Sequence, residues 1–292
     1  MTSLTEWQAV FPEGKRGRKT ALLMSGGIGD FLHYISKIQS FLRRKHLGAS
    51  DVLVCVESTV PQRVEEIFRC AFPELSYCFT LGSLHWTRTN PLLLPHSEIE
   101  RIHRPAYQYL RSLGFRMIED WFLPFLCSEY ASDRESLLRI VHNRTPFEGR
   151  FAVTSARDKG FLWWPSEAAC VLVDQALPTG VAQVYMGTPN EAQSWMPRLN
   201  TPPSLRDALA ASYAAELFIG TDTGLATIRE LTGRKCIYCI SEFWLKEMMV
   251  RYHYLDLAEL HRTGSVFAYN LEHLRGALHE HFHPENELSA RQ

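Results

Sequence analysis

Leu217-Phe-Ile-Gly-Thr-Asp-Thr-Gly-Leu-Ala-Thr-Ile-Arg-Glu-Leu-Thr-Gly-Arg-Lys-Cys-Ile-Tyr238 reads as strand, turn, helix, turn, strand. Leu217, Phe218 and Ile219 form the short apolar run of a buried parallel strand. Residues 220–224 are small, polar and turn-forming. Leu225, Ile228 and Leu231 recur at the spacing of one helical face, and Gly233 stands where a helix C-terminus is closed. Residues 235–240 are a second β-rich run. A strand–helix–strand of this brevity is one βαβ unit of an α/β domain. Its turn sets Asp222 and the backbone N–H groups of Thr223, Gly224 and Leu225 at a helix N-terminus. The unpaired donors and positive dipole there suit a diphosphate. A plain helix cap is the other reading of Asp222.

The alternation extends both ways. Upstream, residues 204–215 have a helical pattern, and 151–154, 166–176 and 181–186 give strand, helix, strand. A polar stretch at 142–149, with Pro146 and Gly149, separates this block from an earlier one. The earlier block opens with a buried strand at 20–25 and the loop Ser25-Gly26-Gly27-Ile28-Gly29-Asp30. A helix follows over 30–45, with Leu32, Ile35, Ile38, Phe41 and Leu42 on one side. A strand at 51–56, a helix at 61–72 opened by Pro61 and a weaker strand at 77–81 come next. The pattern loosens over 82–120, where a helix is expected at 96–113; a short helix is expected at 132–141. Downstream, helices are expected at 242–254 and 271–282, with a frayed tail from Pro284. Two β/α blocks joined near residue 146 imply an α/β fold of two doubly wound domains facing a cleft. The expected divisions are 1–146, 147–265 and a terminal segment, 266–292.

Composition narrows the function classes. The 292 residues suffice for two domains. A net charge of −1 gives no electrostatic case for nucleic acid, which is therefore not an expected partner. No apolar run reaches the roughly 18–20 residues needed to span a bilayer. Residues 1–19 are polar and end in Lys15-Arg16-Gly17-Arg18-Lys19, so no signal peptide is expected. The seven cysteines, odd in number and scattered, suit reduced thiols and a cytoplasmic location. Cys236 and Cys239 fall inside an apolar strand pattern and read as buried strand residues rather than a metal or redox pair.

Several motifs compete for the chemistry. The glycine loop at 25–30 follows a strand and opens a helix, so its backbone can approach a ligand closely, with Asp30 at the crevice end. It lacks the Gly-Lys-Ser/Thr ending of a Walker A loop. It is similar to the Ser-Gly-Gly-x-Asp-Ser loop of ATP pyrophosphatases, but Asp30 comes one residue late and Phe31 replaces the serine. Asp222-Thr223-Gly224 matches the aspartic-protease triplet, yet it occurs once and opens a helix, whereas those enzymes need two copies on loops. His279-Glu280-His281-Phe282-His283 fits a zinc-protease pattern, but Pro284 stops the helix at once. A solvated, histidine-rich helix end is the expectation there. Trp163 and Trp164 could stack on a base, one of them being expected in the core. Arg101, His103, Arg104 and Arg111 fit either an anionic acceptor or a solvated helix face.

Gly26-Gly27-Ile28-Gly29-Asp30-Phe31-Leu32 resembles the N-terminal Gly-Asp-x-Leu loop of the family 9 glycosyltransferases, the heptosyltransferases. Residues 218–225 resemble their donor motif, Asp-Thr-Gly-Leu followed by a helix. Between these lie Ala152-Val153-Thr154-Ser155-Ala156, then Trp164-Pro165-Ser166-Glu167 beside the family's Lys-x-Trp-Pro-x-Glu, and the loop from Gly187 to Glu191. The five features keep the family's order across about residues 20–240. The resemblance implies a GT-B fold of two Rossmann-like domains, acceptor on the first and nucleotide-sugar on the second, with a C-terminal helix returning to the first domain. It implies an inverting transfer with Asp30 as general base. Asp222 is implied for the donor sugar's hydroxyls, the N–H groups of Thr223, Gly224 and Leu225 for the diphosphate, and Glu191 for the nucleoside. Gly26, Gly27 and Gly29 then form the acceptor loop. A diphosphate held by a helix end and a cation needs no metal and no cofactor.

Two positions depart from the family. Its lysine before Trp-Pro is Leu162 here, with Lys159 or Arg157 of the same loop as candidate substitutes for the cation, and its histidine after Asp-Thr-Gly-Leu-x is Thr227. The expected partners are a nucleotide-sugar donor, with ADP-heptose favoured by resemblance, and a glycan, lipid-linked glycan or protein acceptor. Peripheral contact with a membrane stays open. A non-catalytic nucleotide-sugar-binding module and an ATP pyrophosphatase are the alternatives.

Overall fold

The computed structural model describes residues 4–11, 19–81, 106, 108–117, 130–144, 147–157, 163–196, 198–245 and 263–283. The chain divides into two compact units, Met1–Ile140 and Val141–Gln292.

The first unit is built on a parallel sheet in the order β3-β2-β1-β4, with β1 (Thr20–Ser25), β2 (Val52–Ser58), β3 (Ser76–Leu81) and β4 (Arg116–Met117). Every residue of β1 and β2 is buried. That is why these strands read as continuous apolar runs: helices cover both faces of a parallel sheet. On one face Ala21, Leu23, Leu53, Cys55 and Cys78 pack with Trp7 of α1 (Leu4–Val10) and with Ala106, Leu110 and Leu113. Residues 106 and 108–112 are helical, as expected, and Leu113 is already in the turn that follows; residues 96–105 and 107 lie outside the described residues. α2 (Ile28–Arg44) buries Phe31, Tyr34, Ile35, Ile38 and Phe41, a stripe at helical spacing. Its Phe31 meets Phe68 of α3 (Pro61–Ala71) edge-to-face, ring centroids 5.8 Å apart. Pro61 starts α3 in the first turn, where its missing N–H costs nothing. α4 (Arg134–Val141) closes the unit.

The second unit has six parallel strands in the order β7-β6-β5-β8-β9-β10. Along the chain these are β5 (Arg150–Ser155), β6 (Val181–Met186), β7 (Leu199–Asn200), β8 (Phe218–Gly220), β9 (Cys236–Cys239) and β10 (Val266–Ala268). The first strand in sequence is central, and the chain winds first to one side of it and then to the other. Alternate strand residues sort into two cores. Phe151, Val153, Phe218, Cys236 and Tyr238 face α6 (Leu205–Ala214) and α7 (Gly224–Leu231) through Ala211 and Ala226. Ala152, Ile219, Ile237 and Cys239 face α5 (Glu167–Ala176) and α8 (Leu271–Phe282) through Val173, Leu274 and Leu278. Three of these helices start at side-chain caps. Ser166 and Ser204 Oγ accept the N–H groups of Ala169 and Asp207 at 3.2 and 3.1 Å, and Asn270 Oδ1 accepts that of His273 at 2.9 Å.

Leu274, Ala277 and Leu278 of α8 pack into the core of the second unit. Cys236 and Cys239 are buried free thiols in β9, in line with the sequence reading. Of the helix expected at 242–254, Glu242–Trp244 is helical, and residues 246–254 lie outside the described residues. Among the described residues, no helix is long and apolar enough to cross a membrane.

Candidate functional site

A doubly wound sheet opens its ligand crevice beyond the carboxyl ends of the strands where their order reverses. That point lies between β1 and β4 in the first unit and between β5 and β8 in the second.

In the first unit Gly26 and Gly27 carry the chain from β1 straight into α2. Asp30 is the third residue of α2 and is 8% exposed. Its Oδ2 accepts the N–H of the N-cap residue Gly27 at 2.7 Å. The carboxylate therefore satisfies one of the helix's orphan donors, and this fixes its orientation. A Cβ on Gly26 would lie 2.6 Å from Asp30 Cβ, so glycine at 26 is what lets Asp30 occupy this place. Gly29 is half-buried in the first helical turn, so the three expected loop glycines and Asp30 do converge on one turn.

A polar row that the sequence reading passed over lies along the same sheet edge. Ser25 pairs with Glu57, and Glu57 with Thr80, in the strand register. All three are buried, and Trp7 Nε1 donates to Glu57 Oε1 at 2.7 Å. The available signal was a carboxylate closing the otherwise apolar run Val52-Leu-Val-Cys-Val-Glu57 at its crevice end.

In the second unit Gly220 ends β8 where a Cβ would lie 2.4 Å from Ser155 Cβ. The two central strands approach closely there, and Thr221, Asp222 and Thr223 follow at once. Thr223 is the N-cap of α7, so the N–H groups of Gly224 and Leu225 open the helix without intrahelical acceptors. Thr221 is fully buried, and neither its hydroxyl nor that of Thr223 finds a partner among the described residues. Thr227, at the position of the family's histidine, turns its hydroxyl back onto the Thr223 carbonyl at 3.1 Å.

Across the crevice, Glu191 Oε2 accepts the N–H of Thr188 at 2.7 Å, and a Cβ on Gly187 would lie 2.8 Å from that oxygen. Glu191 Oε1 faces Arg157 Nη1 at 3.4 Å. Asp222, Thr223, Gly224, Leu225 and Glu191 are therefore gathered at the carboxyl ends of β5, β6 and β8. Lys159 and Leu162 lie outside the described residues, as do Arg101, His103 and Arg104; Arg111 is exposed.

The competing motifs separate cleanly. Trp164 is fully buried against Ala152, Val173 and Leu274, and is a core residue. His279 and His283 are exposed at the end of α8 with ring centroids 5.3 Å apart, while His281 is half-buried. No group of three or more metal-ligating side chains occurs among the described residues. Burial, then Lys235 and Arg229, push the His281 imidazole down to about 4 against the opposing pull of Glu216.

No protein-family profile and no curated protein matches the chain. Solved structures do. The E. coli heptosyltransferase WaaC with ADP is 15% identical, with 93% of this chain and 99% of that one covered at a TM-score of 0.53. The S. aureus MnaA–UDP structure is 11% identical over 90% and 87% of the two chains, TM-score 0.51. A UDP-N-acetylglucosamine 2-epimerase of Listeria monocytogenes, so assigned provisionally, is 10% identical over 92% and 89%, also at 0.51. At these identities the likeness is one of fold. Two Rossmann-like units in series, spanning nearly the whole of WaaC, give this chain the heptosyltransferase-like GT-B fold.

Proposed function

We propose that the protein is an inverting glycosyltransferase that takes its sugar from a nucleotide-diphosphate donor. The observation that carries this reading is the α7 N-terminus at the switch point of the second sheet. There Thr221, Asp222 and Thr223 stand beside two helix-opening N–H groups and opposite Glu191. The helix end meets the diphosphate, Asp222 the sugar hydroxyls and Glu191 the nucleoside. In the first unit Asp30 takes the proton from an acceptor hydroxyl as that oxygen forms its bond to the anomeric carbon. The anomeric carbon–oxygen bond breaks in the same displacement, and its electron pair leaves with the diphosphate. An aspartate is a weak base, with an ordinary value of about 3.9, so its fixed placement must supply much of the effect. A helix end and a cation stabilise the leaving group without a metal, so transfer is expected to survive EDTA.

ADP-heptose is the favoured donor. A glycan, lipid-linked glycan or protein hydroxyl, met in the cytoplasm, is the acceptor class. Asp30→Asn is expected to abolish transfer while nucleotide affinity stays nearly intact; near wild-type turnover sinks the base assignment. Asp222→Ala is expected to weaken donor binding by calorimetry, and unchanged affinity removes it from the site. UDP-N-acetylglucosamine 2-epimerase shares this fold, so the product of a sugar-nucleotide incubation must be identified: a C2 epimer instead of a transferred sugar overturns the transferase reading. Thr227 turned into its own helix and Leu162 in the lysine's place favour the second reading, a binding module without turnover.

A further inference from the structure

We infer that Arg157 is the cation that holds the donor's diphosphate, released for that role from a holding contact with Glu191; this rests on the donor-site reading above. β5 is the central strand, and its end is pinned on both sides. Ala156 N–H still bonds to the Met186 carbonyl of β6 at 2.8 Å, and Thr154 is in register with Ile219 of β8. Arg157 leaves the sheet one residue later, with its own N–H held by Ser155 Oγ at 3.3 Å. Its side chain therefore starts at the switch point, between the Thr221–Thr223 turn on one flank and the Gly187–Glu191 loop on the other.

What the guanidinium does in this structure is limited. It reaches Glu191 Oε1 at 3.4 Å, a loose contact, with the arginine side chain 57% exposed. Such a pair contributes little to stability. A guanidinium offers five donors, and this contact uses one of them. Glu191 does not depend on it, since Oε2 is held by the Thr188 N–H and packed on Gly187. The pair has the properties of a contact made to be exchanged. A donor diphosphate carries about two negative charges, more than the half-charge of a helix end can balance, and a forked cation beside that end adds one positive charge. When the nucleoside hydroxyls engage Glu191, Arg157 turns to the terminal phosphate of the leaving group. As the glycosidic bond breaks, its electron pair and negative charge pass to that phosphate oxygen, where the guanidinium is aimed.

The test is calorimetric titration of the full chain with ADP and UDP, and with AMP and UMP as one-phosphate counterparts. Wild type is expected to prefer one diphosphate over its monophosphate. Arg157→Ala should lower that diphosphate's affinity about tenfold, the size of one charge-assisted contact, and leave the monophosphate within about twofold. Arg157→Lys should recover part of the preference. The melting temperature of the ligand-free variants should stay within about 2 °C of wild type, since the pair is exposed. A preference that survives in Arg157→Ala overturns the assignment and leaves the donor-site reading standing. Wild type that binds neither diphosphate overturns both.

Discussion

Gly26 and Asp30 illustrate how closely single residues constrain one another at this loop. Gly26→Ala forces a methyl within 2.6 Å of Asp30 Cβ, so either the carboxylate or the loop must move. The substitution is expected to cost about 1–3 kcal/mol in urea unfolding and most of the transfer rate. Full activity in that variant would show that Asp30's position is not critical. Trp7 and Glu57 form a second such pair. Trp7→Phe keeps most of the ring volume but removes the 2.7 Å donor from a buried carboxylate, at an expected cost of about 2 kcal/mol. Part of this scale was legible beforehand: Asp30, Asp222 and the loop glycines were marked by their place after a strand, and Glu191 only by the family resemblance. Trp7's reach to Glu57 was not, because a contact between residues fifty positions apart leaves no local pattern.

Secondary elements were legible where they were long enough to carry a period. The strands at 20–25 and 181–186 and the helix at 271–282 have the boundaries the sequence suggested. β4, β7 and β10, two or three residues each, were not foreseen; β8 is as short, but a run of three apolar residues before a glycine turn marked it. The second unit also contains a clamp that no periodicity shows. Arg229 of α7 is 1% exposed and donates to the carbonyls of Ser212, Ala215, Glu216 and Lys235. Those of Ser212, Ala215 and Glu216 belong to the C-terminal end of α6, where a helix leaves its acceptors orphaned. Arg229→Met is expected to cost about 3 kcal/mol, read from the urea midpoint. By contrast Asn270→Ala, which removes only the cap of α8, should cost about 1 kcal/mol.

At the scale of the molecule, each unit holds, among the described residues, one histidine that resists protonation. Burial, then Lys37, pushes His33 down to about 3, and His281 lies at about 4. In the unfolded chain both titrate near the ordinary 6.5. Above that pH both states are neutral and the folded protein keeps its full stability. As pH falls through 6.5 the unfolded chain gains protons that the folded one refuses, so stability declines toward pH 4 and below. The urea midpoint should therefore drop between pH 7 and 5, and His281→Gln should make that slope shallower; an unchanged slope removes His281 as a contributor. The Arg229 clamp carries a consequence for motion. Because one guanidinium ties the last turn of α6 to α7 and to the approach of β9, those helices cannot open one at a time. Their amide protons should exchange with solvent at a shared free energy, as one cooperative block, and Arg229→Met should split that block in two.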